Sequence, residues 1–376
     1  MNVSFRFAAA NEYDRLSRFL NDHWASNHVY CRQKPLFDWT FLNNPRWNRD
    51  SYCFVVAESG AELVGMLGGI PFLMNAHGAN SQGVWIANYV IRPDFRRGPL
   101  ALQLLGQFRK PPFETTIASG INPATATIYK VLRGSVLPVM PRHFAVFPEG
   151  RATALSLLHS VYPRRNIADL EEWLKPFQLA AFEEPHRQFS KAIPDNWDEH
   201  GWEHWRKTTV GAARDRVFLE WRYRHHPLFR YCFAAVEEDR TSLAVWRMET
   251  IQQRSDTGSN ELGKIARIVE FLPSSPQTAG RLLHTVFKEA AGAGAFAADY
   301  YGYHGEIGQW LTAAGFPRTS THPDGALIPS RFQPLDGKDG NIHCAMFLQE
   351  GLPACLDDAT CPWYWTKADS DQDRPN

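Results

Sequence analysis

The chain has 376 residues, 40 basic and 40 acidic side chains, and a sequence pI near 7.2. That balance leaves no overall electrostatic footprint for nucleic acid or an anionic membrane, so neither is expected as a partner. The length fits about two or three domains, and the six cysteines form no C-x-x-C pair, which points away from a disulfide scaffold or a zinc knuckle.

The opening MNVSFRFAAANEYDRL carries charges where a signal peptide needs a longer apolar run, and no stretch approaches about 20 uninterrupted apolar residues. A soluble, unprocessed protein in a reducing cytoplasmic setting is expected. Residues 3 to 8 read as a strand. Asn11 is placed to cap the next helix, with Asp14 as capping-box partner, and Leu16, Phe19, Leu20, His23 and Trp24 share one face. Next come LFDWTFLNNP, a strand YCFVVAE, a turn at Ser59-Gly60, and ELVGMLGGIPFLM with glycines 65, 68 and 69 marking a bulge or close approach. A turn at His77-Gly78 leads into VWIANYVI. Tight turns make these strands antiparallel.

Arg92-Pro93 stops that strand, because proline has no N–H for a central ladder and restrains its predecessor. After a basic loop, Leu100, Ala101, Leu104, Leu105 and Phe108 recur at helical spacing until Pro111-Pro112. A helix start presents unpaired amides and the positive end of the dipole, and Arg96 and Arg97 add charge, so a phosphate is the natural ligand. ETTIASG reads as a further strand. Asn122 then caps a helix with Pro123 at its first position.

Two of these segments resemble the GNAT superfamily of acyl-CoA-dependent acyltransferases. The first is Pro93 followed by Arg96, Arg97, Gly98, Pro99, Leu100 and Ala101, which is similar to the family's Arg/Gln-x-x-Gly-x-Gly/Ala turn around the pyrophosphate of coenzyme A, with Pro99 where glycine is usual. The second is Asn122, Thr125, Ile128, Tyr129 and Leu132 ahead of Gly134, which is similar to Asn-x-x-Ala-x-x-Leu-Tyr.

The second half repeats the first. FLEWRYRHHP matches LFDWTFLNNP, YCFAAVE matches YCFVVAE, and ARIVEFLP echoes the strand ending at Pro93, with a helix carrying Leu282, Leu283, Val286 and Phe287 after it. The arginines of the phosphate turn are missing from this copy, and Leu311 stands where the tyrosine would be, so a second catalytic centre is not expected. The organisation read from this is residues 1–150 as a GNAT-like acyl-CoA-binding domain, 151–210 as a Pro- and Trp-rich connecting segment with helices near 153–161 and 168–173, 211–350 as a degenerate second copy, and 351–376 as a tail. The fold class is α/β (α+β): two tandem domains, each a mixed, mostly antiparallel sheet flanked by helices.

The resemblance implies acetyl-CoA or another acyl-CoA as co-substrate. Arg96, Arg97, Gly98, Ala101 and Asn122 would serve the cofactor, as would main-chain groups of Tyr89 and Ile91. Tyr129 would be the acid that protonates the departing thiolate, since a phenol with pKa near about 10 is neutral at pH 7. The family often has a glutamate on the strand before the proline; Asn88 stands there and cannot take a proton. His77, Asp94, Asp299, His304 or a water are the alternatives for the base. ADYYGYHGE supplies Asp299, Tyr301 and His304 as acceptor-pocket candidates. Arg222 to His226 read as a solvated rim, and the paired histidines there lack ligand spacing, so no metal is expected. The tail acids Asp369, Asp371 and Asp373 are expected to stay solvated beside Trp363-Tyr364-Trp365.

The leading function is acyl transfer from acyl-CoA to an amine or hydroxyl of a small-molecule or sugar acceptor. The alternatives are a non-catalytic binding or assembly protein on the same scaffold, motivated by Pro99 and Asn88, or an aminoacyl or long-acyl transferase. Oligomeric state is not legible.

Overall fold

A computed structural model describes residues 3–179, 189–255, 258–322, 325–337, 340–348 and 362–374. The first half contains strands β1 (Val3–Ala9), β2 (Ser51–Ser59), β3 (Glu62–Ala76), β4 (Ala79–Ile91), β5 (Thr115–Ser119), β6 (Ser135–Val136) and β7 (Arg142–Val146). Its helices are α1 (Tyr13–His23), α2 (Val29–Arg32), α3 (Lys34–Phe41), α4 (Leu100–Gln107) and α5 (Pro123–Val131). A connecting stretch carries α6 (Arg151–Val161), α7 (Ile167–Leu174), β8 (Phe189–Ser190), α8 (Glu203–Thr208) and β9 (Val210–Ala212). The second half contains α9 (Arg216–Leu219), β10 (Cys232–Val236), β11 (Leu243–Ser255), β12 (Gly258–Leu272), α10 (Pro276–Gly292), β13 (Ala295–Tyr303) and α11 (Gly305–Ala313). It closes with β14 (Arg331–Phe332), β15 (Leu335–Asp336), β16 (Cys344–Phe347) and β17 (Trp363–Thr366).

Local chemistry explains most boundaries. The β3–β4 hairpin turns at His77 and Gly78, both left-handed (φ 51° and 93°) as a two-residue hairpin turn needs, and Asn75 Oδ1 accepts from the Gly78 amide at 3.0 Å. α5 starts as expected, with Asn122 Oδ1 accepting from Thr125 N at 2.9 Å and proline next. The start of α1 differs from expectation. Glu12, not Asn11, stands at its cap, held by Arg6 of β1 at 2.6 Å and by the Ala9 amide at 2.8 Å. Trp24, expected on the buried face, is 53% exposed.

Among the described residues, fifteen of the seventeen strands join into one sheet, and β14 and β15 pair separately. The first half contributes β1-β2-β3-β4-β5 and the second β10-β11-β12-β13, while β9 and β17 bridge β3 to β13. Most pairs are antiparallel; β4–β5 and β12–β13, each with a helix between them, are parallel, as is the bridging pair β9–β17. Two strands change sides. β7 pairs with β13 through Arg142–Val146, and β16 pairs with β5 through Cys344–Phe347, so each half is completed by a strand from beyond the other's boundary.

The repeated segments take the same form in both halves: a helical turn carrying the tryptophan, then a strand opening a meander. The repeated tryptophans meet. Trp39 and Trp221 stack with ring centroids 4.6 Å apart and planes 20° from parallel. One apolar core runs through both halves, from Phe37, Phe41 and Phe54 to Trp197, Phe271 and Leu282. A second packs α4 and α5 on the other face of the first sheet through Leu104, Phe108 and Tyr129. There Gly69 permits a close approach, since a Cβ on it would lie 2.4 Å from the Phe108 ring.

Candidate active site

Opposite Leu67 the β3–β4 ladder slips: Met66 faces Val90 and Gly68 faces Ala87, so Asn88 and Tyr89 form a bulge. Asn88 takes φ 50°, a left-handed conformation that asparagine tolerates better than most residues. Its side chain is buried, and its Nδ2 has no hydrogen-bond partner among the described residues.

The bulge coincides with a parting of strands. β4 and β5 pair from Gly83/Thr115 to Ile86/Ala118 and no further, while β4 continues to Ile91 with β3 on its other edge. Main-chain groups from Ala87 to Ile91 therefore face a slot with no strand on that side among the described residues.

At the end of β4 the chain makes a short turn at Pro93–Phe95 and enters α4 behind Pro99, which offers no side-chain cap. The first helical hydrogen bond runs from Gln103 N to Pro99 O at 3.0 Å. The amides of Leu100, Ala101 and Leu102 precede it and are free for an acceptor. Arg96, Arg97 and Gly98 are exposed beside them. Arg96 folds back, its Nε donating to Ile91 O at 3.0 Å, which leaves its terminal nitrogens facing outward. Arg92, by contrast, is engaged with Asp94 and Glu62, and that pairing also occupies Asp94.

Tyr89 anchors the slot from below, its hydroxyl donating to Ala101 O. Tyr129 on α5 is buried and stacks on Phe347 of β16 with centroids 4.8 Å apart. Its hydroxyl makes no hydrogen bond among the described residues. Burial, and then the neighbouring Tyr89, push the Tyr129 phenol above its ordinary pKa, so it stays protonated. The structure thus brings Tyr89, Ile91 and Arg96 to Ala101 to one slot, with Tyr129 near enough to Tyr89 to feel its charge. The Asn122 oxygen is committed to capping α5.

Asp299, Tyr301 and His304 lie in the second half, and no hydrogen bond, ion pair or ring contact links them to that group. Asp299 is buried against Arg142 at 3.1 Å and Arg267 at 3.6 Å. Tyr301 sits under Lys367, whose Nζ is 5.1 Å from the ring centroid. His304 caps α11, its Nδ1 accepting from Ile307 N at 3.2 Å, and burial lowers its pKa to about 4. His77, exposed in the hairpin turn, has its Nδ1 3.3 Å from Lys207 O.

In the second half the corresponding slot is filled. β12 and β13 pair only as far as Ile268/Tyr300, and β17 then pairs with Gly302 and Tyr303. The Tyr364 hydroxyl reaches across to Glu270 of β12 and accepts from Phe271 N at 2.9 Å.

Sequence reasoning missed the tail. Asp369, Asp371 and Asp373 are buried, contrary to expectation, and pair with Arg214 at 2.6 Å, Arg374 at 2.8 Å and Arg247 at 2.7 Å. Burial alone would raise the Asp373 carboxyl, but Arg247 outweighs it and holds the group well below the carboxylate range. The expected rim at Arg222 to His226 is likewise only half solvated: Arg222, Tyr223 and His226 are buried, and Arg222 Nη2 donates to Ser370 O at 2.9 Å. Beyond these anchors Gln372 Nε2 donates to Ser119 O at 3.3 Å, at the open end of β5. The alternating acids were the available signal, but of their arginine partners only Arg374 is near in sequence; Arg214 and Arg247 are remote.

No family model matches the sequence, and no curated protein matches it either. Solved structures do. A GCN5-related N-acetyltransferase from Anabaena variabilis is similar at 12% identity and TM-score 0.55, over 93% of this chain and 73% of that one. The N-myristoyltransferase of Saccharomyces cerevisiae with bound myristoyl-CoA is similar at 12% identity and TM-score 0.55, over 96% and 89%. A probable N-acyltransferase from Enterococcus faecalis follows at 11% identity and TM-score 0.53, over 93% and 73%. With the bulged, parted β4–β5 pair and the open start of α4, these likenesses place the chain in the fold of the GNAT superfamily.

Proposed function

We propose that the chain moves an acyl group from acyl-CoA, held by its first half, to an amine or hydroxyl of a small-molecule or sugar acceptor. The observation that carries this reading is the slot itself: an unpaired strand edge running directly into free helix amides flanked by Arg96 and Arg97. A pantetheine arm can add to that edge as a strand would, through Tyr89 and Ile91 main-chain groups, while the diphosphate takes the amides of α4. Pro99 removes one donor without closing the others.

Main-chain donors at the bulge polarise the thioester carbonyl, and the attack collapses with loss of the thiolate. Tyr129 supplies the proton. Its raised pKa does not prevent this, because the same burial raises the basicity of the thiolate beside it. The proton of the incoming nucleophile leaves through water or a group on the acceptor side, since Asn88 cannot accept it. Asp299 and Tyr301 remain the proposed acceptor-side residues, whereas His304 caps α11 at the edge of a different cleft.

Calorimetry with CoA tests the binding step. We expect a dissociation constant in the micromolar range, weakened about tenfold by Arg96→Ala through loss of a charge-assisted contact. Release of free thiol from an acyl-CoA panel, short chains to myristoyl, tests the chemistry and the acyl length. Tyr129→Phe should slow it about 10²-fold and leave CoA affinity within about a factor of two. Absence of CoA binding by the folded protein removes the reading.

A further inference from the structure

The second half keeps a cleft where the first half has its cofactor mouth, and its chemistry is different. It has a volume of about 660 Å³ and lies between the starts of α10 and α11, with α8 and Pro362 closing it. Its walls include Trp205, Trp310, His204, His304, Glu306 and Gln309, and no lysine or arginine lines it among the described residues.

That lining disfavours a phosphate. The two helix starts that could attract one are already capped from within: Ser275 Oγ accepts from Thr278 N at 3.2 Å, and His304 Nδ1 from Ile307 N at 3.2 Å. His304 is kept uncharged by burial, which lowers its pKa to about 4. The β17 strand already fills the neighbouring slot, so a pantetheine arm has no edge to join.

What remains favours a cation. Glu306 is exposed at the cleft and forms no ion pair among the described residues. Trp310 is half-buried at the cleft with no hydrogen bond to its indole N–H among the described residues, and Trp205 forms part of the wall. A free carboxylate beside aromatic side chains in a concave site is the arrangement that recognises an organic ammonium ion, through charge and cation–π attraction. We infer that this cleft binds an organic ammonium ion, a quaternary or substituted amine carrying an apolar group, at a site separate from acyl transfer.

The test is calorimetric titration of the full chain with choline and with benzyltrimethylammonium, alongside inorganic phosphate. Saturable binding of one ammonium ion per chain is expected, with the aromatic probe tighter. Glu306→Gln should weaken it about tenfold or more while CoA binding is unchanged. Glu306 is a first-turn surface residue, so that variant should fold, and circular dichroism checks it. Trp310→Ala gives a second, independent loss. Three results overturn the inference: no saturable ammonium binding by the folded wild-type chain, equal binding by Glu306→Gln, or binding of phosphate in preference to either cation.

Discussion

His143 and His226 show how burial sets protonation at the scale of one residue. Both are almost fully enclosed, and burial lowers each imidazole to about 3. His143 Nδ1 lies 2.7 Å from Phe316 O, while His226 Nδ1 accepts from Phe229 N at 2.9 Å. In the unfolded chain each titrates near about 6.5. Between those values only the unfolded state takes up the proton, so stability is complete above the unfolded pKa and declines as pH falls toward the folded one. The expected slope is about 1.4 kcal/mol per pH unit for each group. Urea unfolding from pH 7 to pH 4 measures it, and His143→Gln should remove the share of one proton. A flat profile would show that these rings protonate in place. His143 did not stand out in the sequence and His226 was read there as part of a solvated rim, because the enclosure of each depends on partners far along the chain. Tyr129 was legible, since its place follows from spacing within one helix.

Among elements, the helix starts divide in the same way. Asn122 with Pro123 was readable because cap and first turn are adjacent in sequence. Asn11 misled because Arg6, from a strand lying alongside, draws Glu12 into the capping position. The repeat of Trp39 and Trp221 announced duplication, yet nothing in the two segments said that they touch. Their stacking fastens α3 to the turn after α9, and Trp221 Nε1 adds a weak bond to Trp39 O at 3.4 Å. In a double-mutant cycle with Trp39→Leu and Trp221→Leu, the double variant should lose about 1 kcal/mol less than the sum of the single losses, the coupling of the stacked pair. Additive losses would mean that the two rings contribute only by burial. Gly69→Ala should cost about 2 kcal/mol in thermal or urea unfolding, because the Phe108 ring 2.4 Å from the new methyl must move within a packed core.

Over the whole molecule the exchange of β7 and β16 makes the halves depend on each other. Separated, the first half would leave β5 with an open edge and the second would leave one on β13, and the tail held by buried arginines 214, 222 and 247 would lose its contact with Ser119. Fragments 1–210 and 211–376 should therefore fail to unfold cooperatively when expressed alone and should form a stable complex when expressed together. Gel filtration and calorimetry report this, and a cooperative transition from either fragment by itself contradicts it. The order of elements, the basic turn ahead of α4, the capped helix bearing Tyr129 and the duplication were all present in the sequence, because each rests on spacing within a few dozen residues. The strand exchange, the filling of the second slot by β17, the burial of the tail acids and the stacked tryptophans were decided only in the folded chain. Each is a contact between groups on distant segments, and no local pattern states which distant partner a strand edge or a charge will meet.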